Sequence, residues 1–375
     1  MRKTNLAMAF SDEQAMILDS AKAFCSDKST IAAVRNLLDS ETGFNPQVWQ
    51  EMVALGWTGI AIPEEYGGLN LGVGALVPLV ETMGRHLLGT PLISSALTAQ
   101  AILRSGTESQ RAAWLPALAD GAAGALALLD NVDWGGDVSG CTVSGSGDNL
   151  TLTGRKLMVA DGAVSDLFVV SASHAGQPVL VLVEAKQLPA GALESKTLID
   201  ETKRACNVDF SGVTVTSSAL LTPSASTLHE LRLIGALLTA AEATGTAAAA
   251  LDLIVSYLTT RVQFGRLIGS YQALKHPTVE ILLQMDAARS LIYHAATLIG
   301  DCPIDSNTEI ACRMAKAQAT EALLFAGDRA VQFHGGMGFT YDCDAQLYIR
   351  RAQWAQHQYG DAQHHRRKLA DLLLD

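Results

Sequence analysis

Residues 228–261, LHELRLIGALLTAAEATGTAAAALDLIVSYLTTR, constrain the fold of this chain more than any other stretch. The segment has a helical composition and is apolar on almost every side, which is typical of a helix that is buried among others. Further helical patterns follow at 273–300, at 307–333 and from 343 to the end. Together they predict a bundle of four helices over residues 226–375, buried within the chain or in an oligomer.

The rest of the chain divides into two parts by its periodicity. Residues 1–121 have helical patterns, and capping-box sequences at Ser11–Gln14 and Thr107–Gln110 mark two helix starts. From 122 to 225, Val, Leu and Thr alternate with polar residues in the period of β-strands. The expected fold class is therefore α+β, with an N-terminal helical domain (1–121), a middle β domain (122–225) and the C-terminal bundle (226–375).

Composition limits the classes of partner. The net charge of −11 disfavours nucleic acid, which binds basic surfaces. No apolar stretch of about 18 residues and no signal-peptide core is evident, so a cytoplasmic protein without a membrane segment is expected. The six cysteines have neither C-x-x-C pairs nor regular spacing, so neither a metal site nor a disulfide framework is predicted.

One candidate ligand-binding segment follows the first bundle helix. Arg261 ends that helix, Phe264 and Gly265 break the helical pattern, and Gln272 begins the next helix. A guanidinium can bind a pyrophosphate, and an aromatic ring can contact an adenine. This places one cation and one aromatic ring at a helix–helix corner, although an Arg at a helix end is usually a solvated charge.

A second candidate segment, AVQFHGGMGF at 330–339, lies about 70 residues later. It contains Gln332 and the pair Gly335-Gly336, whose backbone N–H groups can approach a phosphate closely. A Gly-Gly pair by itself usually forms a turn. The two segments together indicate a site for a dinucleotide cofactor.

The combination resembles the acyl-CoA dehydrogenase family, and the likeness covers nearly the whole chain, most strongly at 240–300 and 320–345. It is closest to the divergent bacterial branch that degrades steroids, dicarboxylates or aromatic-derived acids. The resemblance implies an N-terminal helical domain, a middle β-barrel domain and a C-terminal four-helix bundle. It also implies FAD as the cofactor, an acyl-CoA as the substrate and an electron-transfer flavoprotein as the electron acceptor.

The resemblance assigns the ADP half of FAD to a set of residues that we call the ADP clamp. In the family this clamp reaches across a dimer interface to the neighbour's flavin, so a homodimer, a tetramer or a heterotetramer with a second acyl-CoA dehydrogenase chain is expected. The clamp consists of Arg261, Phe264, Gln332, Gly335 and Gly336.

The middle domain departs from the family pattern. Where relatives have a T-E-P-x-A-G-S-D-like stretch, this chain has LLDNVDWGGDVSG at 128–140, and only Gly135-Gly136-Asp137 resembles it. The Trp-Ile-Thr segment that lies against the flavin ring in the family is Met158-Val159-Ala160 here. A Met side chain can still pack on a flavin, and backbone groups can still bond its edge.

The catalytic base also departs from the pattern. Most of the family has a Glu in a Tyr-Glu-Gly turn, and the aligned residue here is Tyr359. The branch with its base early in the first bundle helix would place it at Gly235, a position that could instead leave room for a bulky acyl chain. Two nearby carboxylates remain, Asp361 and Glu242, the latter on the same helix face as Gly235. Asp361 could equally cap the last helix, and Glu242 could equally be a paired structural carboxylate.

Three functions remain open from the sequence. The first is an FAD-dependent acyl-CoA dehydrogenase, either with its own base or as one subunit of a heteromer whose partner chain supplies the base. The second is a flavin oxidase or monooxygenase on the same fold. The third is a non-catalytic subunit without flavin that stabilises a partner.

Overall fold

The computed structural model of the chain describes residues 12–131, 140–300 and 303–374. The predicted capping box at Ser11 and the Gly135-Gly136-Asp137 stretch lie wholly or partly outside these ranges. The N-terminal part is helical, as predicted. Its helices are α1 (Asp12–Lys28), α2 (Ile31–Asn36), α3 (Pro46–Ala54), α4 (Leu76–Arg85), α5 (Leu92–Ser105) and α6 (Glu108–Ala119).

The capping box predicted at the start of α6 is present. The Thr107 side chain accepts a bond from the Gln110 backbone N–H, and the Gln110 side chain accepts one from the Thr107 backbone. Each bond satisfies a donor that a helix start would otherwise leave without a partner.

The middle part is a β domain. Its strands are β1 (Gly124–Ala127), β2 (Thr142–Ser146), β3 (Asn149–Thr153), β4 (Arg155–Ala160), β5 (Leu167–His174), β6 (Gln177–Glu184), β7 (Leu193–Ser195), β8 (Ala205–Asp209), β9 (Val213–Val215) and β10 (Leu220–Leu221). Within the described residues, β10-β6-β5-β2-β3-β9 with β1 beside β5 form one sheet, and β4-β8-β7 form a second. The two sheets enclose a common apolar core.

Strands β5 and β6 have few polar residues because both of their faces are covered. Phe168 and Val170 point into the core between the two sheets. Their neighbours Leu167 and Val169 point the other way and pack against the N-terminal helices α5 and α6. A strand that is buried on both faces has a continuous apolar sequence instead of an alternating one.

The C-terminal part is the predicted bundle, with one change. Its elements are α7 (Thr227–Leu258), the hairpin strands β11 (Val262–Gln263) and β12 (Arg266–Leu267), α8 (Gln272–Leu298), α9 (Ser306–Phe333), α10 (Ala345–His357) and α11 (Ala362–Leu374). The fourth predicted helix is two helices, because Tyr359 and Gly360 have positive φ angles (56° and 98°) and end the helical path.

Helix α7 lies at the centre of the molecule. By length and composition it could cross a bilayer, which corrects the expectation that no stretch is long and apolar enough, but its most apolar window is completely buried among other elements. Its first two dozen residues share one core with α1, α4, α8, α9 and α10. Both helical parts of the chain therefore pack around the same apolar core.

Glycines let α4 and α7 approach closely. A Cβ atom at Gly84 would lie 2.1 Å from the Glu242 carbonyl oxygen, and one at Gly245 would lie 1.8 Å from the Glu81 carbonyl oxygen. Both distances are far below contact distance, so each position requires a glycine at this helix separation. Gly245 therefore serves helix packing.

Candidate active site and ADP clamp

A cavity of about 710 Å³ lies where the β domain meets the bundle. Its walls come from the ends of β1 and β4, the starts of α7 and α9, the turn 358–361 and helix α11. The lining includes Asp130, Met158, Ala160, Arg232, Glu309, Arg313, Tyr359, Asp361, His364, His365 and Lys368.

A bulge in β4 turns its side chains toward this cavity. The pairing of β4 with β8 shifts register between Lys156 and Val159, and Met158 has a φ angle of +50°. The Asn207 side chain accepts a hydrogen bond from the Met158 backbone N–H at 3.1 Å. Because a bulge changes which face a residue points to, both Leu157 and Met158 reach the cavity wall. The segment predicted to contact a flavin is thus half-exposed at the cavity.

A buried lysine of β4 holds the adjacent segment of the cavity wall in place. The Lys156 ammonium donates to Asp130 Oδ1 at 2.5 Å and to Ser171 Oγ at 2.8 Å. Lys156 itself is completely buried, so its charge requires such partners. The contact fixes the end of the β1 segment, from which Leu128 to Asn131 line the cavity.

Tyr359 is the residue that the family resemblance aligns with the catalytic Glu, and its ring lies against Gly235. A Cβ atom built on Gly235 would lie 2.6 Å from Cε1 and Cζ of that ring. The expected room for a bulky acyl chain at Gly235 is therefore filled by Tyr359. Burial, together with the nearby Asp161 carboxylate, raises the pKa of the Tyr359 phenol. At neutral pH the phenol stays protonated and is not a base.

The turn that carries Tyr359 is anchored by Lys316, a residue that the sequence argument missed. Its completely buried ammonium donates to the carbonyl oxygens of Ala355 at 3.0 Å and Gly360 at 2.9 Å. Burial lowers the pKa of Lys316 to about 7, although Asp361 acts in the opposite direction. The helical spacing from Arg313 through Lys316 to Thr320 and Leu323 on the buried face of α9 could have identified it.

Asp361 caps α11. Its Oδ1 atom accepts a hydrogen bond from the His364 backbone N–H at 2.7 Å, and its side chain also lines the cavity. The cap is the alternative that the sequence left open beside catalysis. Because its side chain also lines the cavity, Asp361 remains a candidate site residue.

The structure does not place Glu242 in the described cavity wall. Its carboxylate is 3% exposed and pairs with Lys203 at 2.5 Å and Arg351 at 3.0 Å, and Arg351 also bonds Asp200. Burial alone would raise the pKa of Glu242, but the two cations outweigh it and the pKa is lowered. This geometry favours the structural alternative for Glu242, because an ionised carboxylate that pairs with two cations outside the described cavity wall is a weak base. It joins the β domain to α7 and α10.

The basic run at 364–368 is only partly a solvated face. His365 is 2% exposed and accepts from Arg313 at 3.4 Å through Nδ1, and burial followed by the nearby Lys316 lowers its pKa to about 3. His364 and Lys368 line the cavity, while Arg366 pairs with Glu321 on the surface. One side of α11 therefore faces the cavity.

The ADP clamp lies at the other end of α7. The Tyr257 and His334 rings stack with their centroids 4.1 Å apart, and this contact brings the two clamp segments together. Arg261 and Gln332 are exposed, and open space surrounds Gly335 and Gly336. A dinucleotide phosphate could therefore reach the backbone here.

Phe264 is the most unusual residue of the clamp. It has a φ angle of +53°, followed by Gly265 at +75°, in the two-residue turn between β11 and β12. Such a turn favours Gly or Asn, so a phenylalanine here is strained, and its ring is also 91% exposed. A strained and exposed aromatic ring indicates contact with a ligand or a partner chain.

Comparison with known proteins identifies the family of this chain. Residues 11–122 match the acyl-CoA dehydrogenase N-terminal domain, and residues 229–374 match the acyl-CoA dehydrogenase C-terminal domain. The chain belongs to the acyl-CoA dehydrogenase family, whose members are flavin-dependent oxidoreductases that act on the CH–CH bond of acyl-CoA thioesters. The predicted family, fold class and class of enzyme are confirmed.

Individual relatives match over nearly their full length. Acyl-CoA dehydrogenase IpdE2 of Mycolicibacterium smegmatis is 28% identical over 361 residues, which are 96% of this chain and 98% of that protein. A variant of the Tcur3481-Tcur3483 steroid ACAD has a similar structure, with 29% identity, a TM-score of 0.85 and coverage of 96% of this chain and 98% of that one. A chain solved in work on the electron transferring flavoprotein of Acidaminococcus fermentans has 28% identity, a TM-score of 0.88 and coverage of 98% and 100%.

Replacing Glu242 by Gln should destabilise the fold by about 3–5 kcal/mol, because Arg351 and Lys203 lose the charge that compensates them in a buried site. The matched control is Glu201→Gln, whose half-exposed carboxylate pairs with Arg350 and should contribute at most about 1 kcal/mol. Urea unfolding of both variants measures the difference. Equal stabilities would contradict the structural role of Glu242.

Lys316 should make stability depend on pH. The folded protein releases the Lys316 proton near pH 7, whereas an unfolded lysine keeps it to about pH 10.4, so the contribution of Lys316 to stability rises with pH between these values. Relative to that of Lys316→Met, the free energy of unfolding of the wild type should increase by up to about 1.4 kcal/mol per pH unit from pH 7 to 9. Urea unfolding at several pH values tests this, with the exposed Lys275→Met as the control. A difference that does not change with pH would rule out a lowered pKa.

Proposed function

We propose that this chain is one subunit of a two-chain, FAD-dependent acyl-CoA dehydrogenase in which it supplies the ADP clamp and a partner chain supplies the catalytic carboxylate. The observation that carries this proposal is the contrast between the two ends of α7. At one end the chain carries the residues that the family resemblance assigns to the ADP clamp. At the other end neither of the two positions at which the family carries its catalytic base is a carboxylate. One position is Tyr359 and the other is Gly235.

The distance between the two ends supports an oligomer. Gly235 and Leu258 are 23 residues apart on α7, which at about 1.5 Å per residue is about 35 Å. One dinucleotide does not extend from the cavity at Gly235 to the clamp beyond Leu258. The clamp of one chain therefore serves the cavity of a neighbouring chain.

The residues present fit the ADP half of FAD. Arg261 offers an exposed guanidinium for the pyrophosphate, Phe264 an exposed ring for the adenine, and Gly335 and Gly336 an accessible backbone. Three further apolar side chains, Val262, Met337 and Phe339, are more than half exposed beside them. Exposed apolar surface of this kind favours coverage by another chain.

Bound FAD would accept the hydride from the β-carbon of the acyl group while a carboxylate removes the α-proton. Under this proposal the flavin ring lies in the cavity of the partner chain, whereas Met158 and Ala160 line the cavity of this chain. Tyr359 remains a neutral phenol, because its pKa is raised, and it does not accept the α-proton. Asp361 is engaged as the cap of α11. The partner chain is proposed to carry the base.

The relatives support the finer assignments. The steroid ACAD among the similar structures favours a bulky ring-bearing acyl group, and its name joins two gene products. The similar chain from work on an electron transferring flavoprotein favours such a protein as the electron acceptor. Fast reoxidation of the reduced flavin by air would instead favour the oxidase alternative.

The proposal predicts the flavin content. The chain purified alone from a heterologous host should contain little FAD, and the complex with its partner should contain one FAD per pair of chains, quantified from the visible spectrum. One FAD per chain in the protein alone, with turnover of an acyl-CoA, would contradict the proposal. A colourless complex would favour the non-catalytic subunit.

In the two-chain complex, Arg261→Ala should weaken FAD binding by about 10–100-fold, because a charge-assisted bond to phosphate contributes about 1.5–3 kcal/mol. Arg266→Ala is the matched control, since Arg266 belongs to the same hairpin but stacks on Tyr271 at 3.9 Å. Titration of the apoprotein with FAD, followed by flavin fluorescence, measures both. Equal losses of FAD affinity in the two variants would show that Arg261 has no specific role in binding FAD.

A further inference from the structure

The hairpin that carries Arg261 and Phe264 has no buried side chain of its own. Every residue from 259 to 267 is exposed, whereas Leu258 before the hairpin and Ile268 after it are buried. Strands β11 and β12 pair only with each other, and the Ile268 N–H donates to the Arg261 carbonyl oxygen at 2.9 Å. A segment that buries nothing is held in place only weakly by its own residues. The residues that flank the hairpin therefore decide where Arg261 and Phe264 lie.

Tyr257, in the last turn of α7, provides one of these flanking contacts. Its carbonyl oxygen accepts a hydrogen bond from the Arg261 N–H at 2.9 Å, so the backbone at Arg261 follows Tyr257. Its half-buried ring stacks on His334, with 4.1 Å between the ring centroids and 25° between the ring planes. A single residue thus connects the hairpin to the second segment of the ADP clamp.

The His334 ring is held in one orientation. The residue is 9% exposed, and its Nδ1 atom lies 2.7 Å from the Ala330 carbonyl oxygen. Because a carbonyl oxygen only accepts, Nδ1 carries the hydrogen and donates it. His334 directly precedes Gly335 and Gly336, which are exposed and surrounded by open space. The fixed ring therefore sets the point at which the accessible glycine backbone begins.

The other end of the glycine segment has its own contacts. A Cβ atom at Gly338 would lie 2.1 Å from the Val331 carbonyl oxygen, so this backbone rests on the end of α9. The Gln346 side chain donates to the Gly338 carbonyl oxygen from α10. These contacts hold the glycine segment to its own neighbours, whereas the ring stack holds it to the hairpin.

We propose that Tyr257 and His334 are positioning residues for the ADP half of FAD, because their stacked rings set the separation between the Arg261 guanidinium and the Gly335-Gly336 backbone. A ligand that is held from two sides binds more tightly when both sides are already in place, since binding then has less to order. The proposal rests on the function proposed above, because it takes the ligand of the clamp to be FAD. It extends the clamp by two residues that act through their neighbours.

The first test uses the two-chain complex and compares FAD with FMN, which lacks the AMP half. His334→Leu removes the stack and should weaken FAD binding by about 3–10-fold, the size of one lost aromatic pair, without a change in FMN binding. Fluorescence titration of the apoprotein measures both affinities. Equal losses for FAD and FMN would reflect general damage to the fold and would overturn a positioning role.

His334→Phe is the matched control, because it keeps a ring to stack on Tyr257 and removes the Nδ1 hydrogen bond. It should bind FAD like the wild type. A loss as large as that of His334→Leu would show that the hydrogen bond acts and not the stack, and would overturn the proposal.

A second measurement shows whether the two rings act as a unit. Tyr257→Leu should weaken FAD binding as much as His334→Leu does, and the double variant should bind no more weakly than either single variant. Losses that add in the double variant would show that the rings act separately and would contradict the proposal.

A third measurement needs neither flavin nor the partner chain. In the isolated chain, the hairpin amides of Arg261 and Ile268 should exchange with deuterium about 3–10-fold faster in His334→Leu than in the wild type, because the hairpin opens more often. Unchanged exchange at these amides would overturn the proposal even if the complex binds FAD. Faster exchange in a chain whose complex binds no FAD would support the stack as the link between the segments and would overturn only the proposed function.

Discussion

The burial of α7 is the constraint on which the rest of this structure depends. Helices of both helical parts and the β domain surround its first two dozen residues, so each of its side chains must suit a neighbour. Where a backbone approaches, the residue is glycine, as at Gly245 against α4. Where a charge is buried, it is paired, as Glu230 is with Arg104 and Glu242 is with Lys203 and Arg351. A helix under such constraints also fixes the cavity at one end and the clamp at the other.

Much of this fold could be predicted from the sequence because it depends on local periodicity. The helical bundle, the β domain and the cap of α6 each follow from sequence patterns that extend over only a few residues. The ADP clamp could be found in the same way, since Arg261 and Phe264 share one segment, and Gln332 shares another with the glycines. The β4 strand was harder to assign, because its bulge at Met158 interrupts the alternation that identifies strands.

The features that sequence reasoning missed depend on contacts across long separations. Nothing in the sequence shows that the Tyr359 ring lies on Gly235, which is 124 residues away. The glycine by itself therefore suggested free space for an acyl chain. Lys316 is surrounded in sequence by alanines, and its partners are backbone carbonyls of a turn about 40 residues later. Glu242 was a candidate base because it shares a helix face with Gly235, whereas its two cationic partners come from other elements.

The central claim of this account is that the chain does not itself remove an α-proton, because a neutral phenol stands in place of a carboxylate. The most direct test is hydrogen exchange at the α-carbon of acyl-CoA thioesters in D₂O, read by mass spectrometry with the isolated chain and added FAD. Straight-chain and ring-bearing thioesters should all remain unlabelled, and label should be incorporated only when the partner chain is present. Deuterium incorporated by the isolated chain and lost in Asp361→Asn would contradict the account and identify Asp361 as the base.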